Sequence, residues 1–369
     1  MNVLGIETSC DETSAAVVAD GRRVLSSAVS SQFELHRAHG GVVPELAARR
    51  HVSAIVPVVE EALRDAKIER DELDAIAVTQ GPGLAGALVV GMNVAKAMAY
   101  ALDRPLIAVN HLEAHIYANW LVEVGDLPPE PAFPLLCLLV SGGHTELILM
   151  TGHGRMRHLG RTLDDAAGEA FDKGARLLGL EFPGGPAIQE AASRGDPVAF
   201  DLPRAWLPGT HNFSFSGLKT ALLRVTEPMR VPRTNASEAE TMASRPAGPF
   251  REHRAPEYGP EAPIADLAAS YQQAIIEPLA VKTAQAAIEH SARTVVLAGG
   301  VAANALLRHR LREEVATRAG SDVALAFPAL AFCTDNAAMI AGAAAWIVRR
   351  GDLVGWEADI FPRLALVRD

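Results

Sequence analysis

Two histidines four residues apart are the first feature of this sequence that could carry chemistry. His111 and His115 stand in the segment His-Leu-Glu-Ala-His, directly after an apolar run that is typical of a strand. On a helix, residues four apart differ by only about 40° around the axis, so both imidazoles can reach one metal ion. A third ligand is needed, and Asp335, at the expected start of the last long helix, is a candidate. This set suits iron or zinc, although pairs of surface histidines show the same spacing.

The spacing of this segment argues against a zinc protease. Those enzymes carry His-Glu-x-x-His, in which the glutamate beside the first histidine acts as the base. Here the glutamate is Glu113, two residues after His111, and a helix turns it about 200° away from that histidine. Metalloprotease chemistry is therefore not expected.

Two carboxylates, Asp11 and Glu12, stand in a segment rich in hydroxyl side chains, between the short apolar runs 3–6 and 15–19. The two runs predict a β-hairpin. A carboxylate in its turn could accept a proton or orient an amine during catalysis. Asp and Ser also favour turns for conformational reasons alone, so both interpretations stay open at this point.

Four glycine-rich junctions stand between expected strands or loops and the elements that follow them. Their backbone N–H groups could face an anion with no side chain in the way. None matches the P-loop or the dinucleotide-binding fingerprint, and together they favour a nucleotide cleft between two lobes. They are Gly81–Gly83, Ser141–His144, Pro183–Pro186 and Gly299–Asn304.

Strands and helices that alternate along the chain must position these groups, and they predict an α/β protein whose sheets are covered by helices. Further strands are predicted at 74–79, 106–109, 135–140, 146–150 and 294–297, and helices at 47–65, 85–102, 164–178, 186–193, 264–290 and 336–350. Hairpins that start near Val3 and Leu135 suggest two related lobes. We assign residues 1–130 to an N-terminal lobe, which helix 336–350 could complete, and residues 131–335 to a C-terminal lobe. Within the second lobe, residues 226–262 are rich in Pro, Arg and Glu and predict an exposed insertion prone to disorder.

Composition limits the class of protein. The 369 residues are 49% hydrophobic, enough for two medium-sized cores, and the net charge of −10 argues against coating nucleic acid by bulk electrostatics. The three cysteines show neither a disulfide framework nor a zinc-binding spacing. No run of about 18 apolar residues and no secretory signal are evident, so we expect a cytoplasmic protein without a membrane partner.

Several ordered segments together resemble the TsaD family, whose members were once described as O-sialoglycoprotein endopeptidases. The resemblance runs from about Val3 to Ala345, without residues 226–262. The segments are GIETSCDETSAAVV, HRAHGGVVPELAARRH, TQGPGLAGALVVGMNVAKAMA, VNHLEAH, LVSGGHTEL, GRTLDDAAGEAFDKGARLLGL, FPGGP, FSFSGLKTA, LAGGVAANALLR and CTDNAAMIA.

The resemblance implies an actin-like or Hsp70-like (ASKHA) fold with a nucleotide and metal cleft between two related lobes. It also implies transfer of a threonylcarbamoyl group from threonylcarbamoyl-adenylate to tRNA, with release of AMP. The acceptor would be N6 of the adenosine directly 3′ of the anticodon in tRNAs that read ANN codons. Implied partners are TsaB-like and TsaE-like proteins, with a TsaC-type synthase making the adenylate. An ASKHA-fold small-molecule kinase would not explain His111 and His115, and a non-catalytic nucleotide-binding scaffold would not need a metal triad.

Site residues follow from the same resemblance. The family's metal ligands fall on His111, His115 and Asp335, for one Fe²⁺ or alternatively Zn²⁺ per subunit. Asp11 and Glu12 match carboxylates considered important in catalysis, and Asp11 is the first choice as proton acceptor. His39 stands where the family usually has Tyr. The adenylate-binding positions, which ATP or ADP could also occupy, fall on Leu139, Val140, Ser141, Gly142, Gly143, Asp172, Gly185 and Asn304.

Overall fold

The computed structural model describes residues 1–37, 41–123, 125, 127–231 and 255–367. Within these ranges the chain forms ten strands and ten α-helices. The strands are β1 Asn2–Glu7, β2 Glu12–Ala19, β3 Arg23–Ser31, β4 Ala75–Gly81, β5 Leu106–Asn110, β6 Leu135–Val140, β7 Thr145–Gly152, β8 Arg155–Arg161, β9 Thr294–Ala298 and β10 Ala324–Ala326. The helices are α1 Phe33–Arg37, α2 Pro44–Ala66, α3 Ala85–Leu102, α4 His111–Tyr117, α5 Ala167–Leu177, α6 Gly184–Ala192, α7 Ser216–Thr226, α8 Ile264–Glu289, α9 Ala305–Ala319 and α10 Ala337–Arg350.

Two five-stranded sheets share one topology. The first has the order β3-β2-β1-β4-β5 and the second the order β8-β7-β6-β9-β10. In each sheet the first three strands form antiparallel hairpins, and the last two lie parallel to the first strand. This duplication confirms the predicted fold of two related halves, each opened by a hairpin.

Both faces of each sheet are covered, which explains why the central strands are almost wholly apolar. In β6, Leu136, Leu138 and Val140 face the core beneath α5 and α8, whereas Leu135, Cys137 and Leu139 face the opposite side. That opposite core also receives α4, α10 and one face of the first sheet. Helix α4, which carries His111 and His115, and helix α10, which begins two residues after Asp335, therefore lie between the two sheets. The division of the chain at residue 130 stays a prediction.

Three strands and four helices lie outside the predicted ranges: β3, β8, β10, α1, α4, α7 and α9. β3 and β8 are edge strands whose apolar alternation is weak because polar side chains occupy several of their positions, including inward-facing ones. In β3, for example, the hydroxyl of the buried Ser26 donates to the backbone oxygen of Ala62 at 2.6 Å. Hydrogen bonds of this kind compensate for the burial of a polar side chain. A prediction from hydrophobic periodicity assigns such polar positions to loops.

The flanks of the predicted insertion at 226–262 are ordered, contrary to expectation. Thr226 is fully buried as the last residue of α7. Arg230 forms an isolated antiparallel bridge with Tyr258. The Tyr258 hydroxyl donates to the backbone oxygen of Leu177 at the end of α5. Residues 232–254, and with them the centre of the predicted insertion, lie outside the described residues, as does His39.

One helix in the described part of the chain, α3, is long and apolar enough to cross a membrane by length and composition. A single helix of this kind is weak evidence, since a helix that packs on a sheet meets the same test. Here α3 packs against β4 and α2, with Leu88, Met92 and Ala95 buried.

Candidate active site

The start of α4 is fixed by the side chain of Asn110. Its amide oxygen accepts the N–H groups of Leu112 at 2.9 Å and Glu113 at 3.3 Å, which caps the helix. Its Nδ2 donates to the backbone oxygen of Ala365 at 3.0 Å, so the C-terminal segment of the chain braces this helix start. His111, the first residue of α4, is thereby held at a defined place between the sheets.

The predicted metal ligands come together. The Nε2 atoms of His111 and His115 lie 3.5 and 3.1 Å from Oδ1 of Asp335. The two rings stand nearly perpendicular, at 84°, with centroids 4.7 Å apart. Asp335 directly precedes Asn336, whose side chain caps α10 through the N–H of Met339 at 3.0 Å. One ligand atom from each of the three side chains therefore lies within 4.8 Å of the other two.

Glu7, which sequence reasoning missed, completes this group from the end of β1. It is fully buried and accepts hydrogen bonds from the Ser9 backbone N–H and from the Thr79 hydroxyl, the latter at 2.6 Å. Its Oε2 also lies 3.0 Å from Nδ1 of His111. When a metal ion displaces the Nε2 proton of a histidine, a carboxylate that accepts the Nδ1–H orients the ring and makes Nε2 the ligand atom. The sequence held one sign of this role, because a glutamate at the end of an otherwise apolar strand is a candidate for a buried functional carboxylate.

The charges of this group favour a cation. Burial disfavours the charged form of His111. The nearby carboxylates of Glu7 and Asp335 outweigh this effect and raise the pKa of His111 to about 10. Burial lowers the pKa of His115. Although burial opposes ionisation of Glu7 and Asp335 too, His111 holds the pKa of both carboxyls below the usual range. Two buried carboxylates thus face one imidazolium, which leaves an excess of negative charge.

The donor set fits a divalent metal ion. Two imidazole nitrogens and a carboxylate oxygen converge, and Nδ1 of His115 is buried without a hydrogen-bond partner among the described residues. Glu113 points away from this group, as predicted, and forms an ion pair with Arg350 at 3.3 Å. The residues therefore suit a metal held by His111, His115 and Asp335, and Glu113 is not placed to act as the base of a zinc protease.

Asp11 lies in the turn between β1 and β2, at the same end of β1 as Glu7, and Glu12 is the first residue of β2. Burial raises the pKa of Glu12 to about 7, and a hydrogen bond from the Ser31 hydroxyl at 2.9 Å only partly offsets this effect. Oε2 of Glu12 has no partner within the described ranges. His51 of α2, a second residue missed in the sequence, braces the turn through the Thr13 hydroxyl at 2.8 Å and the Cys10 backbone oxygen at 3.0 Å.

A cavity of about 290 Å³ adjoins the metal group. Thr334, the neighbour of Asp335, forms part of its wall. Side chains added at Gly142, Gly185 and Gly300 would meet no other atom within 4 Å, so these glycines border open space instead of filling a packing requirement. Space of this kind beside free backbone suits a ligand that approaches the main chain closely.

The predicted nucleotide residues divide into two sets. Gly142, Asp172, Gly185 and Asn304 line the cavity. Leu139 and Val140 are fully buried strand residues with side chains in the two cores, so only their backbone could face a ligand. Ser141 and Gly143 belong to the turn after β6, where the Ser141 N–H donates to the His144 backbone oxygen at 2.8 Å and the His144 N–H donates to the Ser141 hydroxyl at 3.2 Å.

Two polar side chains of the cavity have partners that orient them. Asp172 accepts the N–H of Gly184 at 2.7 Å, and burial raises the pKa of its carboxyl. Asn304 caps α9 by accepting the N–H of Leu307 at 3.0 Å and donates to Gln272 at 2.8 Å. Both side chains are thus fixed before any ligand arrives, which is a feature of preorganised sites.

The junction Gly81–Gly83, expected to face an anion, is closed by the C-terminal segment. The Gly83 N–H donates to the backbone oxygen of Pro362 at 3.2 Å. A side chain at Gly81 would lie only 1.9 Å from the backbone oxygen of Phe361. Glycine is required here because two segments of backbone meet, so this junction is structural.

Two halves of one topology, with a buried metal-type centre and a glycine-bordered cavity beside it, define an enzyme of the ASKHA class. The chain matches the model of the family TsaD: tRNA N6-adenosine threonylcarbamoyltransferase over residues 23–342. It belongs to this family, and it is a transferase that modifies tRNA.

Relatives of high identity support this assignment over the whole chain. A tRNA N6-adenosine threonylcarbamoyltransferase of Thermomicrobium roseum is 61% identical over 369 residues, which cover 100% of this chain and 97% of the relative. The enzyme of the same name from Bacillus subtilis is 47% identical, with 99% of this chain and 96% of the relative covered. Among solved structures, T. kodakarensis HypF matches 96% of this chain and 49% of its own at a TM-score of 0.59 and 15% identity, a likeness of fold alone.

Proposed function

We propose that this enzyme takes the threonylcarbamoyl group from threonylcarbamoyl-adenylate and passes it to N6 of the adenosine directly 3′ of the anticodon in tRNAs that read ANN codons. The N6 amine attacks the carbamoyl carbon, the bond from that carbon to the phosphate oxygen breaks, and AMP leaves. The observation that carries the proposal is that the cavity adjoins the predicted metal ligands. Thr334 lines the cavity, and the next residue, Asp335, faces His111 and His115.

The cavity supports binding of the AMP part of the donor. Open backbone at Gly142, Gly185 and Gly300 can approach a phosphate, and Asp172 can accept hydrogen bonds from ribose hydroxyls. ATP or ADP could occupy the same space. When bound, an Fe²⁺ or Zn²⁺ ion would polarise the transferred carbonyl as a Lewis acid.

A carboxylate is needed to accept the proton that the N6 amine loses. Asp11 lies in the turn between β1 and β2, and Glu12 is the first residue of β2. The pKa of about 7 and the unpartnered Oε2 support Glu12, because a base titrating near neutral pH combines availability with basicity. Asp11 would then orient the amine.

Reconstitution tests the reaction. Purified protein is incubated with its partners, threonine, bicarbonate, ATP and unmodified tRNA, and the nucleosides are analysed by mass spectrometry. We expect threonylcarbamoyladenosine in the tRNA, and a loss of product in the His115→Ala variant. ATP consumption that follows added sugars or acids and leaves tRNA unmodified would favour a kinase, and nucleotide binding without any turnover would favour a scaffold.

We also propose the outer face of α2 and α3 as the docking surface for the TsaB-like partner; the TsaE-like protein and TsaC-type synthase rest on family resemblance alone. Val52, Val56 and Val89 are 66%, 55% and 44% exposed there, beside an apolar groove of about 250 Å³. Exposed apolar side chains beside an apolar groove are a feature of interaction sites. Val56→Lys should weaken binding of the partner at least tenfold in calorimetry, whereas Val198→Lys, at an 80% exposed site outside this face, should not.

A further inference from the structure

A second group of metal-type ligands lies at the end of α8, outside the candidate active site. His211 Nε2 is 2.7 Å from Oε2 of Glu289. The ring of His290, the residue after α8, stands 6.0 Å from that of His211, measured between centroids. One ligand atom from each of the three residues lies within 4.8 Å of the other two.

The loop that carries His211 is fastened to the helix that carries the other two residues. Lys282 of α8 is 3% exposed, and its ammonium donates to the backbone oxygens of Thr210 at 3.1 Å and Asn212 at 2.6 Å. These two residues flank His211 on either side. The buried ammonium of Lys282 thus links both neighbours of His211 to α8, the helix that ends at Glu289 and His290.

Strand β8 holds the same loop from the other side. The Arg161 N–H donates to the Asn212 amide oxygen at 3.0 Å, and the Phe213 N–H donates to the Arg161 backbone oxygen at 3.0 Å. A side chain at Gly160 would lie 2.2 Å from the backbone oxygen of His211, so glycine allows the loop to lie directly on the strand. His211 is therefore placed by its backbone and not only by its contact with Glu289.

From this geometry we infer that His211, Glu289 and His290 form a second binding site, for a divalent ion of the zinc class. Two imidazoles and one carboxylate with an open side are a ligand set typical of such ions. Ligand atoms of a tetrahedral zinc site lie about 3.3 Å apart, and the ligand atoms of this group lie within 4.8 Å of one another, so small side-chain rotations would seat an ion. The site is separate from the transfer reaction.

The surroundings set the strength of this site. The nearby charge of Arg157 opposes a dication, and Glu289 supplies the only carboxylate of the three-residue group. We therefore expect binding weaker than at a fully enclosed zinc site and an ion that exchanges with solvent.

Zinc binding by untagged protein tests the proposal. In a His111→Ala/His115→Ala background, which lacks the first site, equilibrium dialysis with elemental analysis should find one Zn²⁺ per chain. Adding His290→Ala or His211→Ala should weaken this binding at least tenfold. His309→Ala is the matched control, since His309 also pairs with a glutamate, Glu313 at 3.1 Å, yet belongs to no three-ligand group among the described residues.

Two further measurements guard against misfolded variants. The wild-type protein, with its first site filled, should take up one additional Zn²⁺. Its thermal midpoint should rise by roughly a few degrees at a hundredfold excess of Zn²⁺ over the dissociation constant. The proposal is overturned if no stoichiometric binding occurs in the background variant, or if binding there is unchanged by His290→Ala and His211→Ala.

Discussion

At the residue scale, the most informative side chain is Glu7, because it links β1 to the metal group through one imidazole. Glu7→Gln keeps the shape of the side chain but removes the charge that orients the Nδ1–H of His111. Loss of such a partner typically costs ten- to a hundredfold in metal affinity. We expect that decrease in a competition assay with a chelator.

A matched variant tests whether the loss of metal affinity depends on the carboxylate of Glu7 in particular or follows from removing any carboxylate near the site. Glu113→Gln removes a largely buried carboxylate from α4 itself, 13% exposed, that faces Arg350. Metal affinity of Glu113→Gln should stay within about threefold of the wild type, because the pair lies away from the ligands. Equal losses in the two variants would mean that Glu7 acts only through fold stability.

The titration of Glu12 gives a second prediction at this scale. A base must be unprotonated, so with a pKa of about 7 the single-turnover rate of transfer should be low at acidic pH and rise through pH 7 to a plateau. Glu12→Gln should abolish this inflection and lower the plateau by about a hundred- to ten-thousandfold. Asp11→Asn should lower the plateau and leave the inflection in place.

The opposite pattern would reassign the base. If the inflection near pH 7 survives in Glu12→Gln and disappears in Asp11→Asn, Asp11 accepts the proton. Metal content and adenylate affinity, measured on both variants, should stay near those of the wild type.

The ligand set was predictable from residue types, but its supporting residues were not. His111 and His115 share a helix, so their convergence follows from helical geometry. Asp335 stands more than 200 residues later. Only its place at the start of a predicted helix and the resemblance to a known family indicated it as a ligand. Glu7, His51 and Thr79 looked like ordinary strand and helix residues, because hydrogen bonds across the chain leave no periodic trace in the sequence.

At the scale of elements, Arg308 of α9 joins the glycine-rich junction Gly299–Asn304 to the segment before Asp335. Its guanidinium donates to the backbone oxygens of Ala302 at 2.6 Å and Pro328 at 2.8 Å, and to the Cys333 sulfur at 3.2 Å. Arg308 therefore bridges two parts of the candidate site.

Arg308→Ala should therefore weaken adenylate and metal binding together. We expect the free energy of unfolding to fall by about 2–4 kcal/mol, since backbone oxygens lose charged donors. Arg310→Ala is the control on the same helix, because Arg310 only pairs with Glu313 and Glu314 and should contribute less than about 1 kcal/mol. Denaturant unfolding and ligand titrations of both variants measure the difference, and similar losses in both would remove the bridging role.

Elements with strong apolar periodicity were predicted well, and polar edges were not. β1, β6 and α10 match their predicted positions within two residues, because each is buried on two faces or capped by a recognisable residue such as Asn336. β8 reads Arg-Met-Arg-His-Leu-Gly-Arg, which carries little hydrophobic signal. Its position depends on pairing with β7, a long-range interaction that local sequence does not encode.

At the scale of the whole molecule, the paired flanks of residues 232–254 define where the chain can be shortened. The Val231 N–H donates to the Glu257 backbone oxygen at 3.0 Å, so a short Gly/Ser linker can span the gap. Replacing 232–254 in this way should preserve tRNA modification and lower the thermal midpoint little. Replacing all of 226–262 also removes Tyr258 and its contact with α5, and should lower the midpoint clearly.

The two deletions are compared by calorimetry and by the nucleoside assay. Loss of modification in the shorter deletion, with the fold retained, would make residues 232–254 a functional element. Equal stability of the two deletions would instead show that the Tyr258 contact contributes nothing.

The bracing of α4 by the C-terminal segment has a consequence for how the enzyme is made. Synthesis proceeds from the N-terminus, so His111 and His115 are made more than 200 residues before Asp335, and Asn110 meets Ala365 later still. Until then the chain lacks the predicted carboxylate ligand and also α10, which packs against the first sheet. The three predicted ligands can therefore converge only after both halves of the fold have been made.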